Sequence, residues 1–441
     1  MADLSLGEKI AVTDEEKATL LAETFFPPFP PAGADSRTEA IEHAWSTHRP
    51  PDPEEVEPSS LAEIDSAIRR LRAKAAAGLD GIPAVCIKRS KFILRPWLLR
   101  ICNGSLHLAY FPREWRWTKT FALRKPGKES YDTPRSYRPI SLVSNLGKIL
   151  EIVMNQRIMR RLESRRALAP YQFGFRARRE VIDACYRLAD DVLAGFRHRH
   201  QAQAVTLDIQ STYDTVWRAG LIWKMRVAGL DEYMVEWIHS FLSDRQCQLE
   251  VGKASLEVVP ECGLPQGSPL SPTLFLIYID DLLHELQGIP GLRSQGFADD
   301  LAIWTLGDFR RGVLALPLHR DLRTVDGWAD RWRIRFSPGK CTCMCFRGRN
   351  VRIERQFSAR LHGVELPHAR AVRYLGVWFD EHLSCNIHVT RAVNRIKARL
   401  FLLRRTIRAR VGFAPGVIYT IDQRRSPSSF VLWGSSMVLY P

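Results

Sequence analysis

The sequence predicts an α+β protein, and three observations carry that prediction. Amphipathic stretches with helical spacing recur along the chain, as in Leu61, Ile64, Ile68 and Leu71. Between them lie short apolar runs of strand length, some arranged as strand, turn, strand. The composition is that of an ordinary globular chain, with 45% of the 441 residues hydrophobic and 25% charged. No apolar run reaches the roughly 18 residues of a membrane-spanning helix. The first 20 residues carry Asp14, Glu15 and Glu16 and lack the apolar segment of a secretory signal. Nine cysteines, an odd number in a chain of this size, argue for reduced thiols over a disulfide framework.

Taken in order, residues 1–59 read as an acidic, proline-rich lead-in, with prolines at 27–31 and 50–58 and one short helix over 11–26. Ser60 and Glu63 have capping-box spacing in front of a helix that Gly78-Leu-Asp-Gly-Ile-Pro83 ends. Residues 86–117 read mainly as helix, 118–144 as two strands joined by the basic loop Lys125-Pro-Gly-Lys128, and 145–166 as a basic helix. The run 202–208, Ala-Gln-Ala-Val-Thr-Leu-Asp, is a buried strand closed by an acid. A helix over 231–243, a hairpin over 246–259 and a helix over 271–286 follow. Residues 292–306 read as strand, turn, strand, and 313–335 as an amphipathic helix with Trp328 and Trp332. Strands at 341–346 and 371–379 and a strongly basic helix at 386–410 complete the pattern, with no internal repeat.

Charge is unevenly spread. Lysine and arginine total 64 against 48 acidic residues, a net of +16. Residues 1–65 hold 15 acidic and 4 basic residues, so the remainder carries +27. A large basic body rich in arginine suits a polyanion, most simply nucleic acid, although a basic surface alone is not specific.

Two features carry chemistry. Asp208 closes an apolar strand, and Asp299-Asp300 sits between two strand-like runs in Gly296-Phe-Ala-Asp-Asp-Leu-Ala-Ile-Trp304. Carboxylates converging from distant sequence repel and need cations, and hard oxygen ligands suit Mg²⁺. Two such ions about 4 Å apart can activate a 3′-hydroxyl and stabilise a leaving pyrophosphate. An Asp pair can also simply terminate a hairpin. The second feature is Gly263-Leu-Pro-Gln-Gly-Ser-Pro-Leu-Ser-Pro272, in which Ser271 and Pro272 can start a helix. Gly263 and Gly267 permit close backbone approach to a flat ligand, and Gln266 can hydrogen-bond a base or template. A plain loop before a helix would read the same way.

The ordered set Asp208-x-x-x-x-Tyr213-Asp214, GLPQGSPLSP at 263–272, Phe297-Ala-Asp-Asp300, Lys340 and Arg373-Tyr-Leu-Gly-Val377 resembles motifs A to E of the reverse transcriptase domain of non-LTR (LINE-type, jockey-like) retrotransposons. Lys125-Pro-Gly-Lys128, Tyr137-Arg-Pro-Ile-Ser-Leu142 and Gln172-Phe-Gly-Phe-Arg176 match upstream, and the resemblance covers roughly residues 60–435. It implies a right-hand polymerase with fingers at 60–200, palm at 201–380 and a truncated thumb at 381–441. The implied activity is RNA-directed DNA synthesis with two Mg²⁺ ions, an RNA template, a DNA primer and deoxynucleoside triphosphates. It implies metal binding by Asp208, Asp299 and Asp300, and a proton-donating Lys340. Tyr213 would stand under the sugar and, with Gln266 and Gly267, meet the substrate. Lys125, Lys128 and Arg138 would meet triphosphate or template phosphates, while Arg176 and the hairpin Tyr374-Leu375-Gly376 would contact nucleic acid. The helix 386–410, with Arg391, Arg395, Lys397 and Arg399, would track a phosphate backbone.

The resemblance has a decoy and several departures. Tyr278-Ile-Asp-Asp281 is a literal YxDD, but Leu274, Phe275, Ile277, Tyr278 and Leu282 form one helical stripe, so Asp280 and Asp281 are assigned to a helix. Cys341, Cys343 and Cys345 alternate as on a strand, without zinc-ligand spacing. Thr212-Tyr213-Asp214 stands where the family has Ala-Phe-Asp, and Arg179-Glu180 where it has Ser-Thr. Family members are longer and carry an endonuclease before this region, which implies a fragment or a truncated copy. The alternatives are a catalytically inactive remnant that binds nucleic acid, or an intron-maturase-like RNA-binding protein. The expected setting is intracellular, in the nucleus during integration, without a membrane. Because strand side chains alternate, Asp300 is expected to point less directly at the ions than Asp299.

Overall fold

In a computed structural model the described residues are 1, 3–29, 36–47, 56–307, 317–348 and 358–408. The part of the expected thumb beyond residue 408 lies outside them. Two compact units are each assembled from separated stretches: residues 1–175, 209–285 and 324–336 in the first, and 176–208, 286–323 and 337–441 in the second.

The first unit is organised on a four-stranded sheet in the order Tyr137–Leu142, Trp117–Arg124, Gln246–Val251, Ala254–Val258. Both expected hairpins are present, and a parallel pairing of Trp117–Phe121 with Gln246–Glu250 joins them into one mixed sheet. The expected helix over 86–117 is broken. It runs as Ala84–Arg89 and Lys91–His107, and Trp117 already begins a strand. Ser60 and Glu63 form the reciprocal capping box of the helix Leu61–Arg70, which buries Ile64, Ala67 and Ile68. Phe111 meets Trp237 and Phe241 edge to face, with Trp237 Nε1 donating to Ser105 Oγ at 2.8 Å.

The N-terminal segment is more than a lead-in. Strands Leu4–Leu6 and Lys9–Ala11 form a hairpin, and a Thr13–Glu16 capping box opens the helix Asp14–Phe25. Leu4, Ala18, Leu21 and Phe25 share a core with Tyr137, Leu249 and Val251 of the sheet. Acidic residues gave this stretch its linker-like composition, yet Leu4, Ala11, Ala18, Leu20, Leu21 and Phe25 are buried.

The second unit carries a four-stranded, wholly antiparallel sheet in the order Thr342–Phe346, Gln201–Asp208, Asp300–Gly307, Leu292–Phe297. The strand Gln201–Asp208 has neighbours on both sides, and no residue of it is exposed, as expected of a continuous apolar run. The helix Val181–Arg197 packs Cys185, Leu188 and Val192 on Ala202, Ala204, Trp304 and Met344. Val372, Tyr374 and Phe379 of the hairpin Ala371–Tyr374/Val377–Asp380 join the same core. The basic helix spans Asn386–Arg408.

Candidate active site

In the second unit the acids meet at one end of the antiparallel sheet. Asp208 is the last residue of its strand and Asp300 the first of the next, and the register sets them directly opposite each other. Directly opposed residues project from the same face with Cβ atoms roughly 4.5–5.5 Å apart. Phe297 pairs with Asp300, so Ala298 and Asp299 form a two-residue hairpin loop. Ala298 takes φ = 58°, the left-handed conformation that such a tight turn demands. Asp299 occupies the turn, and Asp300, not Asp299, is the cross-strand partner of Asp208.

Asp300 is exposed, yet its carboxyl is pushed up to about 6. The largest cause is desolvation by the protein packed around one side of it, followed by the charges of Asp299 and Asp208, against which Lys340 acts. The oxygen-only donor set and its mutual repulsion suit a hard divalent cation. Among the described residues, however, no three His, Cys, Asp or Glu side chains are already drawn together as a metal-holding group. The acids share one end of the sheet without forming a finished ligand set.

The segment preceding the edge strand wraps Asp208. Ser337 N donates to the Asp208 carbonyl at 2.9 Å, and Asp208 N donates to Cys341 Sγ at 3.4 Å. Lys340 N and Cys341 N both donate to the Ser337 carbonyl, at 2.9 and 3.0 Å. That turn brings Lys340 Nζ to 3.0 Å from Asp208 Oδ1. Cys341, Cys343 and Cys345 are all buried, and burial pushes their thiols up to about 11, 12 and 11.

In the first unit the GLPQG loop lies on the turn that contains Tyr213. Gly263 N donates to the Val216 carbonyl at 2.9 Å and Leu264 N to the Tyr213 carbonyl at 2.7 Å. Gly263 has φ = 82°, and a Cβ there would stand 2.6 Å from the Asp214 carbonyl oxygen. Gly267 has φ = 115°, and a Cβ there would overlap the Ser141 carbonyl oxygen. The close approach that requires these glycines is thus to the chain's own backbone, where a ligand was expected. Gln266 Nε2 donates to Asp214 Oδ1 at 2.7 Å, and Ser141 N donates to the Gln266 carbonyl at 2.9 Å. Tyr213 is half-buried, with its ring 5.7 Å from that of Phe275.

The sequence reading quoted Asp214 within a motif without giving it a role, and did not single out Arg218. Burial pushes the Asp214 carboxyl up to about 7, with the Gln266 hydrogen bond and Lys125 acting against it. Arg218 Nε and Nη2 donate to the carbonyls of Gly263 and Cys262, both at 3.1 Å. Its place beside Tyr213 in that motif was the available signal for Asp214. Nothing in the sequence marks Arg218.

The remaining residues divide by exposure. Lys128 and Arg138 are exposed, and Lys125 Nζ donates to the Arg135 carbonyl at 3.0 Å. Arg176 is buried. Tyr374 is also buried, 3% exposed within the second unit's core, and its hydroxyl accepts from Gln295 Nε2 at 3.4 Å. It therefore packs as core where a nucleic-acid contact was expected. Only the turn residues after it reach the surface, Leu375 half-buried and Gly376 exposed. The acids of the YIDD sequence lie on the helix Ser271–Gln287 and are already paired. Asp280 accepts from Ala169 N at 2.8 Å and meets His284 at 3.1 Å, while Asp281 meets Lys224 at 2.7 Å and accepts from Trp328 Nε1 at 2.9 Å.

Comparison with known proteins adds an independent line. Residues 123–379 match the family described as "Reverse transcriptase (RNA-dependent DNA polymerase)". The chain is 29% identical over 409 residues to "Probable RNA-directed DNA polymerase from transposon BS" of Drosophila melanogaster, covering 90% of this chain and 44% of that protein. It is 29% identical to "RNA-directed DNA polymerase from mobile element jockey" of Drosophila funebris, over 83% of this chain and 41% of the relative. It is 30% identical to the Drosophila melanogaster protein of the same description, over 75% and 36%. The chain thus spans less than half the length of these relatives.

Proposed function

The chain belongs to the reverse transcriptase family, and from that premise we propose that it carries the RNA-directed DNA polymerase activity of a non-LTR retrotransposon protein. The observation that carries the reading is the register that sets Asp208 against Asp300, with Asp299 in the adjoining turn, across some 90 residues of sequence. On this reading the fingers span 60–200, the palm 201–380 with the acid-bearing sheet, and the thumb begins at 381. The substrates are an RNA template, a DNA primer and deoxynucleoside triphosphates, and copying at a chromosomal primer places the work in the nucleus. No described helix is long and apolar enough to cross a membrane.

Asp208, Asp299 and Asp300 would hold Mg²⁺. The ions, when bound, lower the pKa of the primer 3′-hydroxyl and neutralise charge on the departing pyrophosphate. The chain's own residues do the rest. The Ala298-Asp299 turn and the Ser337–Cys341 segment fix the backbone that carries the acids before substrate arrives. Lys340, on its turn beside Asp208, is the ammonium placed to give a proton to the leaving group. Tyr213 limits the space beneath the sugar and disfavours a 2′-hydroxyl. Its backbone is anchored by Leu264 of the GLPQG loop, and Gln266 holds the same turn through Asp214. Lys128 and Arg138, exposed on the first unit, supply charge for phosphates.

Primer extension on an RNA template with Mg²⁺ tests the reading. The wild-type chain should extend the primer, and Asp208→Asn should abolish extension while leaving RNA binding within a few-fold. Extension by the Asp208→Asn variant at the wild-type rate would remove Asp208 from the chemistry. RNA binding without extension by the wild-type chain would instead favour a remnant that only binds nucleic acid.

A further inference from the structure

The contact between Lys340 and Asp208 has a second meaning, separate from proton donation. Three carboxylates, Asp208, Asp299 and Asp300, share one end of the sheet, and the Lys340 ammonium pairs with the first of them. Its Nζ lies 3.0 Å from Asp208 Oδ1, at ion-pairing distance from an acid that a divalent cation would need. The lysine side chain is 68% exposed, so no packing holds the ammonium in place once its charge partner is taken. The backbone of Asp208, by contrast, is fixed from both sides by Ser337 N and Cys341 Sγ. Lys340 can therefore depart without moving the strand end. Its turn is closed by backbone bonds to Ser337, which leaves the side chain as the part free to swing.

We propose that Lys340 is a stand-in cation. In the free protein its ammonium neutralises Asp208 and holds the acids short of a finished ligand set. A divalent cation binds by displacing it, and the released ammonium then becomes available to an anion. The inference rests on reading Asp208 as a cation-binding acid, and it predicts competition between the lysine and the metal. An exposed ion pair contributes little, and loss of one positive charge beside a divalent site adds to the effect, so removing the ammonium should tighten cation binding about fivefold.

Mn²⁺ binding to the whole chain without nucleic acid, followed by the electron paramagnetic resonance of free Mn²⁺, measures this directly. Lys340→Met should lower the Mn²⁺ dissociation constant about fivefold, Lys340→Arg should leave it near wild type, and Asp208→Asn should remove the site. Unchanged or weaker binding in Lys340→Met would overturn the proposal, the weaker case meaning that the lysine positions Asp208 for the metal. Mn²⁺ binding by the wild type that ignores Asp208→Asn would instead undo the underlying assignment of Asp208. The two failures are therefore distinguishable, and neither depends on measuring extension.

Discussion

Replacing Asp214 by asparagine keeps an oxygen to accept from Gln266 Nε2 but removes a charge from a buried place. The folded carboxyl titrates at about 7, against an ordinary value of 3.8. Folding therefore favours the protonated form. The penalty is absent below pH 3.8, grows as pH rises towards 7 and is complete above it. Asp214→Asn should accordingly stabilise the protein more at pH 8 than at pH 5, by on the order of 2 kcal/mol. Urea unfolding at the two pH values reads this out, and an equal gain at both would mean the carboxyl is not held neutral. The strand-closing position of Asp208 and the hairpin setting of Asp299-Asp300 were legible from residue order alone. The neutralised Asp214 was not, because its burial comes from the 263–267 loop laid over it from fifty residues away.

Among the elements, the N-terminal hairpin and helix make the strongest case for packing over composition. Leu21 is fully buried against a core that includes Tyr137 and Leu249 of the first unit's sheet. Leu21→Ala should cost about 2–5 kcal/mol by chemical denaturation, as large-to-small changes in cores do. Deleting residues 1–26 should expose that sheet face and promote aggregation. A shift below about 0.5 kcal/mol, the range of ordinary surface substitutions, would restore the linker reading. Elements defined by local pattern were legible in the sequence: the Ser60–Glu63 cap, the hairpin over 292–306 and the helix that absorbs Tyr278-Ile-Asp-Asp281. What local pattern could not show is which surface an element covers. Tyr374 has the spacing of a turn-flanking strand residue, yet the helix Val181–Arg197 buries the core it belongs to. The parallel pairing of Trp117–Phe121 with Gln246–Glu250 leaves no mark in either strand.

Across the whole molecule, charge governs which partner the surface can attract. Beyond residue 65 the chain carries +27, and binding to a primer–template should proceed largely through phosphates. Affinity should then fall with salt along a log–log slope of roughly −4 or steeper, as several phosphates release their counterions. A slope near zero in a fluorescence-anisotropy salt titration would point to binding without phosphate neutralisation. The mixed sheet of the first unit also bears on how the protein is made. Its central pairing joins Trp117 to Gln246, so the partner strand leaves the ribosome 129 residues after the first. At a synthesis rate of about 5–20 residues per second, the Trp117–Arg124 edge waits roughly 6 to 26 seconds without its neighbour. During that interval it is an open template for any other strand, so the yield of folded protein should fall as the concentration of nascent chains rises.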